Sequence, residues 1–189
     1  MRWIRTLVGL AAAAALGGCA QLQLGEPVAS IENIQKARGA GIAPMRLGNF
    51  ALAPALDQSL DQRVVVRTNT VYSPYESSFA NYLKQTLATD LAAAGLLEPA
   101  SAVMLEALLT DSKLDVPAGP ATASVAARFT IRRTGAKVYD KELRATHDWH
   151  AGFLGVVAIQ DGMNRYAQLY RKLVTQLLDD PEFQAATRR

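Results

Sequence analysis

The chain has 189 residues, half of them hydrophobic, with 20 Lys plus Arg against 17 Asp plus Glu and a formal net charge of +3. That length suits one domain with a real core. The balance of charges, with no Lys/Arg-rich run carrying interleaved aromatics, excludes a nucleic-acid-binding face.

Met1 to Arg5 carries two cations and no acid, Leu7 to Leu16 is an apolar run with five consecutive alanines, and Gly17 and Gly18 precede Cys19. A charged start, a short apolar stretch and a small-residue exit are the three parts of a secretion signal. The run is too short to cross a bilayer, which needs roughly 20 apolar residues. Residues 1–18 are therefore expected to be a signal peptide. Leu16-Gly17-Gly18-Cys19 resembles the bacterial lipobox, whose cysteine thiol takes a diacylglycerol and then becomes the mature N-terminus. The resemblance implies lipidation at Cys19, palmitate-type acyl chains and durable anchoring, since two or more chains hold a protein stably on a membrane. Ala20, in place of an aspartate, implies outer-membrane sorting by analogy with enterobacterial lipoproteins. Cys19 is the only cysteine, so no disulfide is expected in this oxidising compartment.

Loss of residues 1–18 leaves 171 residues, and loss of Arg2 and Arg5 lowers Lys plus Arg from 20 to 18 against 17 acids, a formal net charge of +1. Residues 19–41 are expected to form the lipidated cysteine and a tether with a short helix over Ser30–Arg38, capped by Ser30 and followed by Gly39. Residues 42–189 are expected to form a single periplasmic domain. Met45 to Ala53 alternates loosely and predicts a first strand, and Arg63 to Arg67 is β-branched and extended.

Ser73-Pro74-Tyr75-Glu76 matches a capping box, and Phe79, Tyr82, Leu83, Thr86, Leu87, Asp90, Leu91 and Ala94 recur at spacings of three and four before Gly95. The pattern predicts an amphipathic helix over 74–94, with Leu83 toward the core and Lys84 toward the polar side. Ala102 to Thr110 predicts a strand. Ala123, Val125, Ala127, Phe129 and Ile131 then alternate strictly, Thr134-Gly135 marks a hairpin turn, and Lys137 to Trp149 forms the return strand. Gly152, Gly155 and Gly162 are expected to break the next stretch. Met163, Tyr166, Tyr170, Val174 and Leu177 predict a last helix, with the tyrosines in the core and Asp179-Asp180 at its solvated end. The sum is an α+β two-layer sandwich: a mostly antiparallel four-stranded sheet with two long helices on one face.

Candidate chemistry is sparse. His147 and His150 flank Asp148-Trp149 on a strand, so they point to opposite faces and cannot close on one metal ion; no metal site and no cofactor are expected. Ser73, Ser77 and Ser78 cluster at a helix start, where capping accounts for Ser73. No nucleophile elbow, phosphate loop or His-Glu-x-x-His helix occurs. Arg128, Arg132, Arg133, Lys137 and Lys141 put cations on the hairpin: a solvated face, or a site for an anionic partner such as lipopolysaccharide phosphate.

Several segments together resemble a family of uncharacterised proteobacterial outer-membrane lipoproteins. They are the lipobox, Ser30-Ile31-Glu32-Asn33-Ile34-Gln35, Ser78-Phe79-Ala80-Asn81-Tyr82-Leu83, Ala127-Arg128-Phe129, Val138-Tyr139-Asp140-Lys141 and Asp180-Pro181-Glu182-Phe183. The element order is more distantly similar to YajG-like lipoproteins and to the lipoprotein that plugs the lipopolysaccharide-assembly barrel. The resemblance implies a lipid-anchored, non-enzymatic binding or accessory domain in the cell envelope, facing the periplasm, whose partners are the membrane and an envelope protein or anionic lipid. The alternatives are a subunit of a lipopolysaccharide or phospholipid trafficking machine and a periplasmic hydrolase.

Overall fold

Two sheets and a helical layer organise the chain in the computed structural model, which describes residues 21–188. The elements run β1 (Gln21–Gln23), α1 (Ile31–Gly39), β2 (Arg46–Leu52), α2 (Ser59–Gln62), β3 (Val64–Val66), β4 (Asn69–Tyr72), α3 (Phe79–Ala94), β5 (Val103–Asp115), β6 (Gly119–Arg133), β7 (Ala136–Ala151), α4 (Gly155–Asp179) and α5 (Pro181–Thr187). The main sheet has the order β2-β5-β6-β7, and a smaller sheet has the order β1-β4-β3. α3 packs on β2 and β5 while α4 packs on β6 and β7, which gives the expected α+β two-layer arrangement.

The long hairpin follows its alternation. Ala123, Val125, Ala127, Phe129 and Ile131 are all buried on β6. Thr134 and Gly135 both take positive φ, 48° and 88°, as a two-residue primed turn requires. Tyr166 and Tyr170 of α4 are fully buried, as expected of core residues.

The sheet departs from the antiparallel expectation at one edge, where β2 pairs parallel with β5. The chain leaves β2, passes through the small sheet and returns along α3, and such a crossover delivers the next strand in the same direction. The small sheet itself was not anticipated, because its strands have only three or four residues.

Several local expectations are corrected. The helix expected over 74–94 begins at Phe79, and its cap is Ser78, whose Oγ accepts from the Asn81 amide at 3.0 Å. Glu76 and Ser77 take positive φ of 54° and 53° and cannot continue a helix, so Ser73 instead caps a turn by accepting from the Tyr75 amide. The last long helix starts at Gly155, ahead of its expected first residue Met163. Gly162 lies within it because a Cβ there would stand 2.8 Å from Val116 Cγ2; glycine permits close packing and does not break the helix. Asp180 is buried, and its carboxylate caps α5 by accepting from the Glu182 and Phe183 amides. Gly39, expected just past α1, is its last residue.

Candidate functional site

The segment from Gln21 to Ala29, expected to be a tether, is built into the fold as a strap across α3 and α4, and it leads into α1 through Ser30. Gln21, Leu22 and Gln23 pair in parallel with Thr70, Val71 and Tyr72. Beyond them the Leu24 amide donates to the Tyr72 carbonyl, Tyr82 Oη to the Gly25 carbonyl and Arg171 Nη2 to the Val28 carbonyl. The strap ends in a polar cluster. Asp90 of α3 accepts from the Ser30 amide at 2.8 Å and from Asn33 Nδ2 at 2.7 Å, and Thr175 of α4 donates to Asn33 Oδ1 at 2.7 Å. Asn33 and Asp90 are buried, and their mutual satisfaction avoids the desolvation cost of orphaned polar groups.

A cleft of about 410 Å³ separates the strap from α4; Leu22, Glu26, Tyr82, Gln160, Asn164 and Arg171 are among its walls. Beneath it lies an aromatic cluster in which Tyr82 meets Tyr170 edge-on at 5.0 Å and Phe79 meets Tyr166 at 5.4 Å. Ser112 Oγ, Tyr166 Oη and Tyr170 Oη form a hydrogen-bonded row with spacings of 2.6 and 2.9 Å. Burial pushes the Tyr82 phenol up to about 12 and raises the Tyr166 and Tyr170 phenols as well. All three hydroxyls are neutral at physiological pH and serve as structural donors and acceptors.

At one end of α4 the surface is apolar. Phe153 is 86% exposed, Leu154 70%, Val156 86% and Val157 64%. This tip is held in place by Arg67, which sits in the β3–β4 turn with φ of 56°. Its guanidinium donates to three carbonyls: Nε to Val116, Nη1 to Phe153 and Nη2 to Gly152, at 2.9 to 3.1 Å. A Cβ on Gly155 would stand 3.4 Å from the same guanidinium, an ordinary contact distance. Sequence reasoning missed this site. Four large apolar residues crowded between Gly152 and Ala158 were the available signal, whereas nothing in the sequence marked Arg67.

The hairpin cations are met by local partners. Arg128 and Lys137 bind Asp140, Arg132 binds Glu106, Lys141 binds Asp180 and Glu182, and Arg133 donates to the Ala186 and Arg188 carbonyls. Hydrogen bonds from Arg128 and Lys137, reinforced by their charges, hold Asp140 down at about 2. Burial raises the Asp111 carboxyl, but hydrogen bonds from Ser124 and Arg144, with the charges of Lys113 and Arg144, outweigh it and hold it below the usual range. His147 Nε2 meets Arg165 Nη1 and its ring stacks on Trp149, while His150 stands opposite Pro120. Among the described residues no group of three His, Cys, Asp or Glu side chains converges as metal ligands would. Leu16, Gly17, Gly18 and Cys19 lie outside the described residues, two positions and more before the strap begins.

No protein-family model and no curated protein sequence matches the chain. The fold has solved counterparts. Protein XCC0632 from Xanthomonas campestris, of the family model DUF330, superposes with a TM-score of 0.59 over 87% of this chain and 96% of its own, at 10% identity. A minor lipoprotein from Acinetobacter baumannii aligns over 75% of this chain and 90% of its own at 16% identity, with a TM-score of 0.38. The likeness to XCC0632 is one of fold.

Proposed function

We propose that the protein is a lipid-anchored, non-enzymatic accessory domain at the periplasmic face of the outer membrane, attached through Cys19. The observation that carries this reading is the strap: Gln21, two residues after the sole cysteine, already pairs with Thr70, and the chain is hydrogen-bonded from there onward. A cysteine at that position, after a secretion signal, fits a surface anchor and leaves no slack between lipid and domain. The non-enzymatic reading draws support from how reactive groups are occupied. Ser78 caps a helix, Ser112 joins the tyrosine row, Asp111 and Asp140 bind cations, and Asp90 closes the strap.

Density-gradient separation of cell membranes tests the anchor and its destination. Wild type is expected in the outer-membrane fraction, and the Cys19→Ala variant is expected to leave it. Wild type sedimenting with the inner membrane would refute the sorting, and wild type in the soluble fraction would refute the anchor.

A further inference from the structure

The start of the strap and the apolar tip are linked through the β3–β4 turn. The strap faces α4 across the cleft and is fixed at its far end, where the Val28 carbonyl receives Arg171, and at its near end, where Gln21 to Gln23 pair with β4. Val156 stands one helical turn before Gln160 on the same helix face. The small sheet supplies the link. Gln21 pairs with Thr70, Thr70 with the exposed Val65, and three residues before Thr70 is Arg67, whose guanidinium grips the Gly152 and Phe153 carbonyls. Two residues of chain span at most about 7 Å, so a lipid on Cys19 would be attached beside this tip.

We infer that Phe153, Leu154, Val156 and Val157 form a second membrane contact, inserting their side chains into the interfacial region of the same lipid leaflet that holds the acyl chains. The inference rests on the anchoring proposed above. A contiguous apolar tip marks an interaction site, and its occupant follows from position, because the short chain from Cys19 to Gln21 keeps the tip toward the leaflet. Two hydrogen bonds from Arg67, to the Gly152 and Phe153 carbonyls, hold the backbone at the start of the tip, so insertion requires no reordering of the segment. With the tip embedded and the strap anchored, α4 is directed away from the membrane.

Brominated acyl chains quench tryptophan only within the bilayer and so report depth. Trp149 is the only tryptophan after residue 18, and among the described residues its buried Nε1 has no hydrogen-bond partner, so Trp149→Phe clears the background at no polar cost. In that background Phe153→Trp and, separately, Val156→Trp would be purified as full-length protein from membranes. Each would be reconstituted into vesicles of phosphatidylethanolamine and phosphatidylglycerol, with plain or brominated chains. Circular dichroism melts matching wild type establish that each variant is folded, and intact mass reports whether Cys19 carries lipid. The expected result is a blue shift of the emission in vesicles and its loss in brominated ones. Lipidated protein whose emission is unshifted and unquenched at both positions would overturn the inference while leaving the anchor standing. Quenching in protein without lipid would sustain the membrane contact and overturn the anchor, and neither lipid nor quenching would overturn both. A blue shift that grows with protein concentration in detergent, without quenching in vesicles, would assign the tip to a second copy of the chain and overturn the lipid contact.

Discussion

Asp140 illustrates how single side chains settle the character of the hairpin. It gathers Arg128 and Lys137, and with Glu106, Asp180 and Glu182 it converts a row of cations into a set of local pairs. Surface pairs of this kind contribute about 0–1 kcal/mol each. Their direction with pH is nonetheless fixed. The Asp140 carboxyl falls from 3.8 to about 2 on folding, so its contribution is fully present above 3.8 and is lost as the pH falls through about 2. Asp111 and Asp180 are also held low, and their contributions are lost in the same direction. Thermal melts should therefore drop steeply as the pH falls from 4 toward 2, and Asp140→Asn should melt lower at neutral pH with a shallower acid slope. Parallel melting curves for the two proteins across that range would show that the Asp140 pairs do not form in solution. The pairing was only half legible in the sequence: the cations of β6 and β7 were visible, but their acids come from β5, α5 and across the ladder.

The stability of α3 rests on its inward face, where Phe79, Leu83, Leu87 and Leu91 are buried against the sheet. Leu83→Ala should cost about 2–5 kcal/mol, as for other buried leucines. Lys84, expected on the polar side, is a poor control because its ammonium donates to the Gly48 carbonyl at 2.9 Å and lies over the Phe50 ring. Gln85 is exposed, and Gln85→Ala should stay within about 0.5 kcal/mol. Denaturant melts that give the two substitutions equal, small effects would contradict the packing of α3. This helix also shows what spacing reveals and what it conceals. Its periodic apolar residues and Gly95 were readable, and Gly95 does close the helix with φ of 74°. Its start was not, because two residues with left-handed φ look in sequence like any Glu-Ser pair. Similarly, Gly155 and Gly162 resembled helix breakers; the close approach of Val116, remote in sequence, gives Gly162 its use.

Taken whole, the molecule is a two-layer body closed along one flank by its own N-terminal strap. The alternation of β6 and β7 and the order of strands and helices carried the fold class. The parallel β2–β5 edge and the small sheet depended on where the chain returns in space. The site followed the same division. The proposed anchor, Cys19, was read from a lipobox-like segment because such a motif is local, whereas the apolar tip gains meaning only from elements remote in sequence. On this proposal the anchor at Cys19 would govern how the domain is presented to the envelope. Metabolic labelling with radioactive palmitate, comparing wild type with Cys19→Ala in intact cells, tests this most directly. Label on wild type and none on the variant is the expected result; unlabelled wild type, or label that persists on Cys19→Ala, would contradict it.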